Sequence, residues 1–84
     1  MTYQIIIPNS VQKQIKKLSR TIQDDIFECL VKMQTNPRPN GYLKMKNTEG
    51  YRIRIGDYRI LYDIDDQARK VKLRKIGHRR DIYK

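Results

Sequence analysis

Tyr51-Arg52-Ile53-Arg54-Ile55-Gly56-Asp57-Tyr58-Arg59-Ile60 reads as two short alternating strands joined by a Gly-Asp turn. A two-residue loop fixes the register of a hairpin. Ile55 then faces Tyr58, Arg54 faces Arg59, Ile53 faces Ile60 and Arg52 faces Leu61. Side chains alternate between the two faces of a strand, so Arg52, Arg54 and Arg59 share one face and the isoleucines share the other. Tyr51, Tyr58 and Tyr62 alternate with the isoleucine side and read as core residues rather than stacking platforms. Like charges directly opposite one another destabilise a sheet. Three guanidinium groups placed together therefore call for an anion, and the basicity of the whole chain points to RNA.

The chain has 84 residues, with 19 Lys plus Arg against 9 Asp plus Glu and a net charge of +10. That length suits one domain, spanning residues 1–84, with one modest core. The charge is uneven: from Tyr42 onward there are 13 basic and 6 acidic residues, so the second half carries +7 of the +10. Charge concentrated in one region is an electrostatic footprint for nucleic acid; the bland alternative is a solvated basic surface. Cys29 is the one cysteine. It falls among apolar neighbours in a predicted helix and reads as a buried structural thiol, so no disulfide framework exists and a reducing compartment is expected. Ile5-Ile6-Ile7 is too short for a signal-peptide core or a membrane span. A soluble, cytoplasmic protein with no membrane partner is expected.

Working outward from the hairpin, Tyr3 to Ile7 reads as a strand ended by Pro8. Asn9 and Ser10 are residue types that cap helix N-termini. Val11, Ile15 and Leu18 then recur at helical spacing and predict a first helix from about Ser10 to Leu18. A second is predicted from near Thr21, with Ile22, Ile26, Leu30 and Met33 as its apolar stripe, widened by Phe27 and Cys29, and with Asp24 and Asp25 in its first turn. Asn36-Pro37-Arg38-Pro39-Asn40-Gly41 stops that helix. Leu43 and Met45 read as core contacts flanking Lys44 and Lys46. The second hairpin strand runs from about Tyr58 to Ile64, and Lys70 to Ile76 alternates again, with Val71 and Leu73 on one face and Lys70, Lys72 and Arg74 on the other. The tail, Gly77 to Lys84, lies outside the predicted core. The expected fold is α+β: a small antiparallel sheet packed against an N-terminal helical hairpin, in the order β-α-α-β-β-β.

One histidine and one cysteine, with no pair at ligand spacing, argue against a zinc site. No glycine-rich phosphate loop is present, and no cofactor is expected. Asp24-Asp25 and Asp65-Asp66 fall in a helix turn and a hairpin turn, where structural roles suffice. What remains is a basic and aromatic surface: Arg52, Arg54 and Arg59 on the hairpin, Lys44 and Lys46 just upstream, and Arg74, His78, Arg79, Arg80 and Tyr83 from the last strand and tail. If that strand pairs with the one before it, the tail can return near the hairpin face. Guanidinium forks suit a bidentate grip on phosphate, and aromatic rings suit stacking on unpaired bases.

The run Tyr51-Arg-Ile-Arg-Ile-Gly-Asp-Tyr-Arg-Ile-Leu-Tyr62 and the tail Ile76-Gly-His-Arg-Arg-Asp-Ile-Tyr83, with Lys16-Lys17-Leu18 in the helical hairpin, resemble the RelE branch of the RelE/ParE toxin superfamily. The resemblance spans nearly the whole chain. It implies a toxin held by a cognate antitoxin, which enters the ribosome and cleaves mRNA there without a metal, by attack of an RNA 2′-hydroxyl on the adjacent phosphate. It also implies that Arg54, Arg59 and Arg79 are phosphate and transition-state ligands, with Arg79 near the leaving group. Tyr83 would orient a base or handle a proton, and Arg52, Lys44, Lys46, Arg74 and Arg80 would contact RNA. The family commonly has lysines where Arg52 and Arg54 stand. Arginine cannot be deprotonated in a protein, so neither can serve as base, and His78 is the candidate whose residue type exchanges protons near neutral pH. Two alternatives stand beside this reading: a ParE-like poison of DNA gyrase, and a non-catalytic RNA- or ribosome-binding module.

Overall fold

The computed structural model describes residues 2–46 and 50–82. Its elements are β1 (Gln4–Ile6), α1 (Asn9–Lys16), α2 (Arg20–Thr35), β2 (Tyr42–Lys44), β3 (Tyr51–Ile55), β4 (Tyr58–Asp65) and β5 (Lys70–His78). The α+β architecture and the helical hairpin are as expected. The order gains one strand, β2, in the segment whose alternation is too short to read as a strand. The sheet runs β1-β5-β4-β3-β2. Pairs β2–β3, β3–β4 and β4–β5 are antiparallel, and β1 joins β5 in parallel, which makes the sheet mixed.

The β3–β4 register is the one read from the sequence: Arg54 opposes Arg59, Ile53 opposes Ile60 and Ile55 opposes Tyr58. Gly56 stands at φ +58°, the position where a hairpin loop of the II′ type takes glycine. One face of the sheet carries Ile53, Ile60, Tyr62, Val71, Leu73 and Ile76, all buried against Val11 and Ile15 of α1 and Ile26, Leu30 and Met33 of α2. The helices leave the opposite face uncovered, and the arginines stand there.

A bulge in β5 decides how the tail is presented. Leu61 pairs with Lys75 and Tyr62 with Leu73, so Arg74 is the extra residue. A bulge shifts the alternation by one. Ile76 therefore turns inward although it shares parity with Lys70 and Lys72, and Lys75 and Gly77 turn to the arginine face.

Several local expectations are corrected. Leu43 is 53% exposed, because it pairs with Arg52 and so points to the uncovered face. Phe27 is 47% exposed rather than part of the core stripe. Ile82 is buried, but over Gly77 on the arginine face and apart from the helix-side cluster, so the tail packs on the sheet rather than standing free of it. Pro8 occupies the N-cap position of α1 with no side-chain cap, and Gln12 instead donates to the Ile7 carbonyl. Helix α2 begins at Arg20 with Ser19 as its cap, which moves Asp24 beyond the first turn, where it pairs with Arg20 at 3.5 Å. Cys29 is half-buried, and burial pushes its thiol pKa up.

The loop after α2 is pinned to the sheet at two points. The Tyr62 hydroxyl donates to the Pro37 carbonyl at 2.9 Å. Arg38 grips Asp66 with both guanidinium nitrogens, at 3.2 and 3.0 Å, and the Tyr3 hydroxyl donates to the same carboxylate at 2.7 Å. The Arg38 and Tyr3 hydrogen bonds hold the Asp66 carboxyl well below the usual range, at about 2. A carboxyl whose folded pKa lies below its unfolded value of ~3.9 contributes stability above that value and loses it as pH falls. Thermal melts between pH ~4 and about 2 should therefore fall less steeply for Asp66→Asn than for the wild type. Parallel slopes would show that the clamp adds nothing to the fold.

Candidate nucleic-acid interface

The uncovered face holds a shallow groove of about 620 Å³ lined by Gly41, Leu43, Arg52, Arg54, Arg59, Arg79 and Arg80. Each arginine arrives by a definite route. Arg52 and Arg54 project from β3 and Arg59 from β4, by the alternation of the hairpin. Arg79 and Arg80 come from the tail. The Arg79 amide donates to the Asp57 carbonyl at 2.8 Å, which stitches the start of the tail to the hairpin turn.

The opposed pair Arg54 and Arg59 is held by a shared acceptor. Arg54 Nε donates to the Gly56 carbonyl at 3.1 Å, and an Arg59 terminal nitrogen donates to the same oxygen at 3.3 Å and to the Tyr58 carbonyl at 3.0 Å. Two guanidinium groups thus converge on one point above the turn. A single carbonyl cannot neutralise two cations, so the pair retains a net field suited to a phosphate. Among the described residues no carboxylate lines the groove, and the nearby Asp63 is occupied by Arg74 at 3.5 Å.

Other candidate residues lie elsewhere. Lys44 pairs with Tyr51 and therefore points to the helix side of the sheet. Lys46 is exposed beyond the end of β2 and does not line the groove. Arg74 sits at the bulge with Asp63. His78 pairs with Tyr58, on the helix side, and its ring meets the Tyr58 ring edge-on with centroids 5.5 Å apart and planes at 78°. The ladder thus turns the His78 ring to the face opposite Arg52, Arg54 and Arg59. Tyr83 lies outside the described residues. Sequence reasoning missed Leu43 and Gly41 as lining residues and Lys75 and Ile82 as supports of the tail; the bulge that turns Lys75 toward the groove has only the adjacent pair Arg74-Lys75 as its signal.

Among the described residues no group of three or more His, Cys, Asp or Glu is placed to hold a metal ion, and no helix is long and apolar enough to cross a membrane.

Comparison with known proteins bears on the family and the fold. A family model described as the ParE toxin of type II toxin–antitoxin systems matches residues 5–83. A curated protein of Methanocaldococcus jannaschii that carries the toxin name RelE1 is 31% identical over 88 residues, covering 100% of this chain and 98% of the relative. The RelE–RelB complex of Pyrococcus horikoshii superposes with a TM-score of 0.86 at 27% identity, over 94% of this chain and 97% of the other. The RelBE2 toxin–antitoxin complex of Mycobacterium tuberculosis shares the fold, with a TM-score of 0.81 at 22% identity over 93% and 99% of the two chains.

Proposed function

Because this chain belongs to the RelE/ParE superfamily of type II toxins, we propose that it is a ribosome-dependent endoribonuclease that cuts mRNA without a metal and is held inactive by a cognate antitoxin. The observation that carries this reading is the convergence of five arginines on an uncovered groove with no carboxylate in its lining among the described residues. A structural ion network would intersperse charges of both signs.

In the proposed reaction the 2′-oxygen bonds to the adjacent phosphorus, the bond from phosphorus to the 5′-oxygen breaks, the 2′-hydroxyl gives up a proton and the departing 5′-oxygen takes one. Negative charge grows on the phosphoryl oxygens in between. Arg54 and Arg59, already directed at one point, hold those oxygens. Arg79 sits near the leaving group, while Arg52 and Arg80 grip the flanking backbone. Such preorganised donors supply the largest part of many rate enhancements. Arginine stays protonated, so proton handling falls to Tyr83 together with the RNA and the ribosome. A chain without a paired acid and base within its own groove needs that contribution, which explains ribosome dependence. The antitoxin complements the groove with carboxylates and apolar side chains. The site of action is the cytoplasm.

Primer extension on a translated message tests the reading. Cuts should fall within codons, require ribosomes, and cease when the acidic product of the adjacent reading frame is added. Equally rapid cutting of naked RNA would contradict it. The matching family model, described as a ParE toxin, keeps in view the second reading that the ParE resemblance implies, a poison of DNA gyrase. It accounts for the fold but gives Arg79 and Tyr83 no task. Inhibition of gyrase supercoiling without mRNA cleavage would establish it instead.

A further inference from the structure

The tail leaves the sheet at His78, and that residue collects three hydrogen bonds from the segment that follows. Its carbonyl accepts from the amides of Asp81 at 2.9 Å and Ile82 at 3.0 Å. Its Nδ1 accepts from the Arg80 amide at 3.2 Å. A side-chain acceptor taking the amide two residues ahead is the pattern of an Asx turn, with imidazole in place of the usual amide or carboxylate. The ring is steadied from the other side by its edge-on contact with Tyr58.

A second anchor closes the segment. Ile82 is 3% exposed. It lies over Gly77, which stands opposite Arg59 in the ladder. A Cβ built on Gly77 would come within 3.3 Å of Ile82 Cδ1, so glycine leaves the room that Ile82 fills. Lys75, turned to this face by the bulge, donates to the Ile82 carbonyl at 3.4 Å. Residues 79–81 are thus a short bridge between two fixed ends, and that bridge carries Arg79 and Arg80 into the groove.

We propose that His78 and Ile82 are positioning residues: they fold the tail back across the sheet and so aim Arg79 and Arg80 at the bound RNA backbone. This rests on the reading of the groove as an RNA-cleaving site. The histidine acts through its acceptor nitrogen and shape and exchanges no proton with substrate. Holding a contact in its reactive geometry lowers the entropic part of the barrier, and a displacement of about 1 Å can cost ~10²-fold.

Asparagine offers Oδ1 as an acceptor for the same Arg80 amide, whereas alanine offers none. In the ribosome assay His78→Asn should cut within about threefold of the wild type, while His78→Ala and Ile82→Ala should lose ~10-fold or more. Amide hydrogen exchange supplies a readout independent of cleavage. The Arg80 and Ile82 amides should be protected in the wild type and in His78→Asn and exchange faster in His78→Ala, with the amides of β3 and β4 unchanged in all three. If His78→Asn is as inactive as His78→Ala with its tail amides still protected, His78 transfers a proton and the proposal fails. It fails equally if His78→Ala and Ile82→Ala leave tail protection and cutting at wild-type levels. Should the wild type cut nothing while tail exchange behaves as stated, the latch stands and the assignment of the groove to mRNA cleavage is what fails.

Discussion

Arg59→Ala should lower ribosome-dependent cleavage ~10²–10³-fold, the usual cost of one lost transition-state donor, while leaving the melting temperature unchanged or slightly raised. The two halves of this expectation have one cause. Arg59 opposes Arg54 directly in the β3–β4 ladder, and opposed like charges weaken a sheet. The pair tolerates this by sharing the Gly56 carbonyl. Alanine removes one cation, leaves the carbonyl to Arg54 and relieves a repulsion worth roughly a few tenths of a kcal/mol. Asp63, which could have made Arg59 structural, pairs with Arg74 instead, and the Arg59 guanidinium donates to the Gly56 and Tyr58 carbonyls. Melting curves and primer extension on the same preparation test both halves. A variant that melts many degrees lower would make Arg59 a structural residue and remove the argument for an anion site.

The hairpin was legible in the sequence because a two-residue turn leaves one register, and that register places Arg52, Arg54 and Arg59 without further information. The helices were legible in their stripes but not at their ends. Capping depends on which polar side chain reaches an amide, and Ser19 does so where Asn9 does not. Leu43 and Lys44 point to the faces opposite to those their residue types suggest, because a three-residue strand gives too short an alternation to show which face is covered. The fate of the tail was hidden by the bulge. Strict alternation from Val71 would send Ile76 outward, and only the pairing of Leu61 with Lys75 and Tyr62 with Leu73 shows where the extra residue falls. His78 illustrates the consequence: its residue type suggests proton transfer, yet its position in the ladder turns it away from Arg52, Arg54 and Arg59.

Tyr62 should be the residue whose truncation costs the fold most. It is fully buried, its ring stacks on Tyr51 at 5.8 Å and 27°, and its hydroxyl donates to Pro37 on the loop that leads to Gly41 and Leu43 of the groove. Burial pushes its pKa up, so the phenol stays neutral and remains a donor. Tyr62→Ala empties a large core position and should cost ~3–5 kcal/mol. A domain of 84 residues holds only ~4–13 kcal/mol in total, at ~0.05–0.15 kcal/mol per residue. The alanine variant should therefore lose a large share of that stability and melt ~12 °C or more below the wild type, at ~4–8 °C per kcal/mol. Tyr62→Phe keeps the ring and removes only the hydroxyl. Pro37 is itself buried, so its carbonyl is left without this donor, at a cost of ~1–3 kcal/mol. At ~4–8 °C per kcal/mol for a domain of this size, the melting temperature should fall measurably while the arginine face stays assembled. The phenylalanine variant thus separates loop anchoring from chemistry. It should melt earlier yet cut mRNA at close to the wild-type rate at low temperature, whereas Arg59→Ala should do the reverse. If Tyr62→Phe melts with the wild type, water replaces the lost hydroxyl at Pro37, and the Arg38–Asp66 clamp alone holds the loop.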